Sequence, residues 1–255
     1  MENTLASFQQ DQLMVRVYEK EEDMGQAAAA LVAAKLAEAI AEKDHANLIL
    51  ATGTSQFAFL EALKAHNIEW QKITVFHLDE YAGISNQHPA SFRKYLKERI
   101  LNEVNPGEVH LIQGDAEDLQ SEMDAYEALL KTHPVDVACI GIGENGHIAF
   151  NDPPVADFND PRLVKLAGLD EACRRQQLGE GWFPTLEDVP EYAVTLTIPA
   201  IMNCKTISCV VPGKRKANAV SNTLYGGIAT SCPASILRTH PCTTLFLDQE
   251  SFPGI

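Results

Sequence analysis

Positive charge is scarce in this chain. Lys and Arg number 20 against 35 Asp and Glu, for a formal net charge of −15 over 255 residues. A field of that sign repels nucleic acid and anionic membrane, so neither is expected as a partner, and an anionic small molecule must be held by a local cationic cluster. Paired cysteines are missing as well. The six cysteines, Cys139, Cys173, Cys204, Cys209, Cys232 and Cys242, form no C-x-x-C, which argues for buried reduced thiols over disulfides or zinc. The opening residues, MENTLASFQQDQ, have no basic n-region or apolar h-region, and the longest small-apolar stretch, AAAALVAA, stops at Lys35. The sequence therefore reads as that of a cytoplasmic protein without a membrane span. There is no G-K-[ST] Walker signature and no H-E-x-x-H metal spacing, so no metal site and no cofactor are expected.

What is present is ordinary globular composition, 45% hydrophobic and 22% charged, in a chain long enough for a substantial core, with one domain over 1–255 as the default. Residues 23–44, rich in Ala, Leu, Glu and Lys with apolar positions three and four apart, predict a long amphipathic helix. Strand 48–51, turn 52–55 and helix 56–66 follow, then strand 73–81, a helix over about 90–102, a strand near 108–112, a helix over 117–132 and strand 135–140. Beyond 190 the alternation resumes with YAVTLTIPAIM, TISCVV, a helix opened by PGKRKANAV and a last strand, TTLFLD. Strands alternating with helices of this length predict an α/β fold, an open, doubly wound, mostly parallel sheet of Rossmann-like form with helices on both faces. Residues 155–190 have weak periodicity and many turn formers, so they read as a lid-like excursion over the site. Sites in such folds collect at the carboxyl ends of strands.

Four strand ends carry candidate chemistry. GIGENGHIAFNDPP contains G-x-G-x-x-G (Gly141, Gly143, Gly146), but Asn151, Asp152, Pro153 and Pro154 leave no room for the helix a dinucleotide pyrophosphate needs. Those glycines instead let a loop turn sharply and present Glu144, Asn145, His147 and Asp152, with the imidazole among carboxylates suited to proton transfer. TVFHLDEYAGI sets Asp79 and Glu80 at a strand end; adjacent residues on an extended chain point oppositely, so one of the two faces a given cleft. The turn Thr52, Gly53, Thr54, Ser55, ahead of a helix, offers N–H groups and hydroxyls to a phosphate. VPGKRKA crowds Lys214, Arg215 and Lys216 at a helix start, where the dipole disfavours cations unless an anion sits there. Together these describe a cleft for a small phosphorylated metabolite.

In this order and at this spacing, ATGTS, HLDEYAGI with HPASF, GIGENGHIAFNDP and VPGKRKA resemble the glucosamine-6-phosphate deaminase/isomerase family, within the broader group that includes 6-phosphogluconolactonase. DEY followed by GHIAFN looks like the aminosugar enzymes. The resemblance implies conversion of a hexosamine 6-phosphate to a ketohexose 6-phosphate plus ammonia, with no metal and no redox cofactor. It implies that Asp79 moves a proton between C2 and C1, and that His147 opens the sugar ring with Asn145 and Asp152. Thr52, Gly53, Thr54, Ser55 and Lys216 then hold the phosphate, with Glu80 and Gly143 as further substrate contacts. The family's usual phosphate-binding arginine has no clear counterpart: Gly179 stands near its place, with Arg174 and Arg175 as candidate substitutes. Relatives range from monomers to hexamers, so a homo-oligomer is among the expectations. A sugar-phosphate lactonase and a binding protein without turnover are the rival readings.

Overall fold

The computed structural model describes residues 4–254. Eight strands form its central sheet: β1 (Thr4–Gln10), β2 (Leu13–Tyr18), β3 (Ala46–Leu50), β4 (Ile73–His77), β6 (Glu108–Val109), β7 (Val137–Ile140), β10 (Thr206–Val211) and β11 (Thr243–Asp248). They lie in the order β1-β2-β11-β10-β7-β3-β4-β6. All pairs are parallel except β1 with β2. The central strands are buried on both faces, which is why ANLIL and TISCVV are continuous apolar or small runs rather than alternations.

Alternation along β3 divides the core. Leu48 and Leu50 join one cluster with α1 (Glu21–Lys43) and α2 (Phe57–Ala65), whereas Ile49 joins the other, to which α5 (Leu119–Thr132), α7 (Ile198–Met202) and α8 (Ala217–Tyr225) contribute. Helices therefore cover both faces, as the doubly wound reading expects. Among the described residues α1 has the length and hydropathy to cross a bilayer. Its Met24, Val32 and Leu36 are fully buried in the cluster with Leu48 and Phe246, so here it is a core helix.

Several features depart from the sequence reading. The first is the hairpin β1–β2, for which no element was expected. Leu13, Val15 and Val17 alternate inward, and Asp11, with φ 53°, makes the left-handed turn between the strands. The second is the expected strand 73–81, which divides at Leu78. Ile73–His77 stays in the large sheet, and β5 (Asp79–Tyr81) pairs antiparallel with β9 (Tyr192–Leu196) in a second sheet completed by β8 (Val164–Gly168). A period of two is identical for one strand or for two in series, so the pattern could not reveal the division. The third is 155–190, which contains β8 and α6 (Glu171–Gly179) and is less irregular than its composition suggests. Asp170 caps α6 by accepting from the Cys173 N–H at 2.7 Å. The helix expected over 90–102 begins at α3 (Phe92–Leu96) and passes through a π turn into α4 (Asn102–Val104). Five cysteines are buried free thiols, but Cys242 is exposed.

Candidate active site

The two sheets diverge at Leu78, and a cleft of about 610 Å³ opens there over the carboxyl ends of β3, β4, β7 and β10. All four segments singled out in the sequence meet in it: Thr52–Ser55 after β3, Asp79 after β4, Gly141, Gly143 and His147 after β7, and Lys214–Lys216 after β10.

Two of these junctions have the same construction. Gly53 (φ 99°) and Gly213 (φ 88°) adopt a backbone that favours glycine, and each is followed by one 3₁₀ turn leading into a nine-residue helix, α2 or α8. Neither helix has a side-chain cap at its N-terminus. The Gln56 and Lys216 N–H groups close these turns on the Gly53 and Gly213 carbonyls, and the Gly213 N–H donates to Asp248; the N–H groups of Thr54, Ser55, Lys214 and Arg215 are left for an anion, and both termini lie on the same cleft. Lys216 is partly buried there. Loss of hydration lowers its pKa, against the opposing pull of Glu180 and Glu144. Lys214 and Arg215 are exposed at the rim.

The loop after β7 is shaped around His147. Gly143 donates its N–H to the His147 carbonyl at 2.9 Å. A Cβ on Gly143 would stand 2.2 Å from the imidazole Cε1 and Nε2, so only glycine lets the ring lie where it does. No helix follows Gly146, which removes the dinucleotide reading. His147 Nδ1 is 2.7 Å from Asp152 Oδ1, which also accepts from Asn145 Nδ2 at 2.8 Å. Asn145 Oδ1 in turn accepts from the His147 N–H. Burial alone raises the Asp152 pKa, but its interactions with His147, Asn145 and the neighbouring Cys173 thiol outweigh it and hold the carboxyl below its ordinary value. An ionised carboxylate only accepts, so His147 carries a proton on Nδ1 and leaves Nε2 as the ring nitrogen free to act in the cleft. Asn145 and Asp152 do not line the cleft; they orient the ring that does. His147, Asp152 and Cys173 also have ligand atoms within 4.8 Å of one another. A soft cation taken there would displace the hydrogen bond that orients the imidazole.

Asp79 and Glu80 point in opposite directions, as extended backbone requires. Asp79 lines the cleft at 8% exposure. Burial first, and the charge of Glu80 second, push its pKa up to about 8. Glu80, expected as a substrate contact, does not line the cleft: it is fully buried on the other side. Its carboxylate accepts from Ser91 Oγ, from the N–H groups of Tyr81, Phe92 and Arg93, and from Arg93 Nε at 3.0 Å. Such a saturated acceptor has no capacity left for a ligand, and its pairing with buried Arg93 fixes the backbone that aims Asp79.

Neither arginine suggested for the missing phosphate ligand reaches the cleft. Arg174 donates to the Leu186 and Val189 carbonyls, and exposed Arg175 pairs with Glu171. Segment 155–190 instead contributes Gln176, Gln177 and Glu180, which sequence reasoning missed. Cys173, Gln177 and Glu180 share one face at a spacing of four and three, a helical signal hidden by the turn formers on either side. Tyr81 Oη donates to Gln177 Oε1 at 2.7 Å, tying α6 to β5.

The architecture thus defines an α/β protein with a small-molecule cleft at a strand-order switch, lined by a carboxylate, an imidazole and two helix N-termini without side-chain caps. The chain belongs to the family of glucosamine-6-phosphate isomerases and 6-phosphogluconolactonases, whose model matches residues 19–164. It is 38% identical over 211 residues to the glucosamine-6-phosphate deaminase of an Exiguobacterium species, covering 83% of this chain and 81% of that one. A Bacillus thuringiensis protein of the same name is 34% identical over 214 residues, covering 84% and 80%. Among solved structures, a monomeric glucosamine-6-phosphate deaminase superposes with TM-score 0.85 at 33% identity, over 93% of this chain and 98% of its own. The 6-phosphogluconolactonase of Shewanella baltica shares the fold, with TM-score 0.76 at 18% identity, over 92% and 97%.

Proposed function

We propose that the protein is an aminosugar-phosphate deaminase and isomerase, converting a hexosamine 6-phosphate and water to a ketohexose 6-phosphate and ammonia, with glucosamine 6-phosphate as the first candidate. The observation that carries this reading is the meeting of Asp79, His147 and the two helix N-termini around one cleft. The phosphate binds between Thr52, Gly53, Thr54 and Ser55 on one side and Lys216 on the other, and fixes the sugar for the proton transfers. His147 Nε2 takes the proton of the anomeric hydroxyl and returns it to the ring oxygen as the ring opens, while Asp152 and Asn145 keep the imidazole in the required tautomer.

Asp79 then takes the C2 proton and delivers it to C1. In the free protein its raised pKa leaves the carboxyl largely protonated at neutral pH. A substrate ammonium at C2 brings an opposite charge beside it and favours the carboxylate, so binding of an amino sugar itself prepares the base. A sugar lacking the amine does not. Moving the C2 proton to C1 leaves an imine at C2, where water adds and the C–N bond breaks to give the ketone and ammonia; the conversion balances with water as the only co-reactant.

The test is to incubate the purified protein with glucosamine 6-phosphate, galactosamine 6-phosphate and 6-phosphogluconolactone, following ammonia, ketose phosphate and acid. Ammonia together with ketose phosphate from an amino sugar is expected. Acid release from the lactone alone, or binding without turnover, overturns the proposal. A cytoplasmic location belongs to the same reading, and cell fractionation checks it. Light scattering decides between a homo-oligomer and the monomeric state described for the solved relative.

A further inference from the structure

Outside the lining of the cleft, the edge of the large sheet gathers Glu108 of β6, His110 just beyond it and His133 at the end of α5. One ring nitrogen of each histidine and one carboxylate oxygen of Glu108 lie within 4.8 Å of one another. Glu108 Oε1 is 3.1 Å from His110 Nε2, a buried nitrogen that makes no well-aligned hydrogen bond. Packing against Phe76 holds both imidazoles, with ring centroids 5.1 Å and 5.8 Å away, and the two imidazole centroids are 5.7 Å apart. His133 Nδ1 is 2.9 Å from the Leu129 carbonyl. A carbonyl only accepts, so Nδ1 donates and Nε2 is the nitrogen left for a metal, as in many metal-binding histidines.

We propose that Glu108, His110 and His133 form a site for a divalent transition-metal ion, with zinc as the ion that fits best. Two imidazoles and one carboxylate are a zinc donor set, whereas calcium and magnesium require oxygens. Zinc bonds of about 2.0–2.2 Å in tetrahedral arrangement place neighbouring ligand atoms roughly 3.3–3.6 Å apart, so the observed 3.1 Å between Glu108 and His110 needs little adjustment. Glu108 is exposed, which leaves the fourth position open to water, and the −15 net charge of the chain favours cation capture. The ion would have a structural consequence. β6 is two residues long and pairs with β4 through Thr74↔Glu108 and Val75↔Val109, with the His110 N–H donating to the Val75 carbonyl just beyond it; a metal shared with His133 adds a second tie from that edge to α5, beside Tyr126 Oη on the His110 carbonyl.

The experiment is calorimetric titration of metal-free protein with Zn²⁺, alongside melting curves with and without the ion, on wild type, His110→Ala, His133→Gln and Cys173→Ala. The last variant removes a ligand of the other candidate set, at His147 and Asp152. The expected result is one zinc equivalent that persists in Cys173→Ala and weakens at least ~10-fold in His133→Gln. Its stabilising shift in melting temperature should be present in wild type and absent from both histidine variants. His133→Gln changes a partly exposed helix end, so it reports even if His110→Ala misfolds. Equal affinity and stoichiometry in wild type and His133→Gln overturns the proposal, as does zinc binding lost in Cys173→Ala but kept in the histidine variants.

Discussion

Asp79→Asn separates the two consequences of burying a carboxyl in the cleft. Asp79 is 8% exposed, and its pKa is pushed up from 3.8 to about 8 by burial and then by Glu80. The folded protein therefore holds this proton over a pH range in which the unfolded chain has released it. Stability is greatest below the unfolded value, falls as pH climbs from about 4 to about 8, and is level above that. The slope is about 1.4 kcal/mol per pH unit, which accumulates to the order of 4 kcal/mol at neutral pH. Asparagine has the same shape and no proton to lose, so the variant lacks this slope. Urea denaturation of both proteins from pH 4 to pH 9 is expected to give similar stability at the acidic end and a widening advantage for Asp79→Asn up to about pH 8. In the same variant, turnover of an amino sugar phosphate should fall ~10²–10⁴-fold, while binding of the phosphorylated sugar is retained. Parallel stability curves across that pH range would refute the burial argument. Near-full turnover would remove Asp79 from the chemistry.

Glu80→Gln breaks the buried pair with Arg93 and is expected to cost about 3 kcal/mol of stability in urea titration. KM of the folded protein stays unchanged; a raised KM at unaltered stability would return Glu80 to the substrate. Gly143→Ala puts a methyl where the His147 ring lies, since the added carbon is 2.2 Å from it. Displacing the imidazole by about 1 Å should lower kcat on the order of 100-fold, read in a steady-state assay with a melting curve to confirm folding.

The strand-to-helix junctions were legible because their signals are local. Thr52–Ser55 and Lys214–Lys216 combine an apolar run, a glycine and polar or cationic residues within a few positions, and His147 is framed by glycines too close to proline for any helix. The division of Asp79 from Glu80 was also legible, as a rule of extended backbone, though the assignment of both to the ligand side was not. Glu80 is absorbed by Ser91 and Arg93, eleven and thirteen residues on, and nothing in DEY announces that pairing. The break at Leu78 was hidden for a related reason: it depends on β9, more than a hundred residues away, pairing with Asp79–Tyr81.

By itself the chain determined the alternation of strands and helices, the parallel sheet they form, and the residue types standing at each strand end, because propensity, periodicity and turn chemistry act within a few residues. Only the tertiary structure decided which of those ends share a cleft, that Gln176, Gln177 and Glu180 join them, and that Asp79 is desolvated enough to hold its proton near neutrality. Those outcomes depend on burial and on contacts between distant segments, and neither is fixed until the whole sheet has assembled.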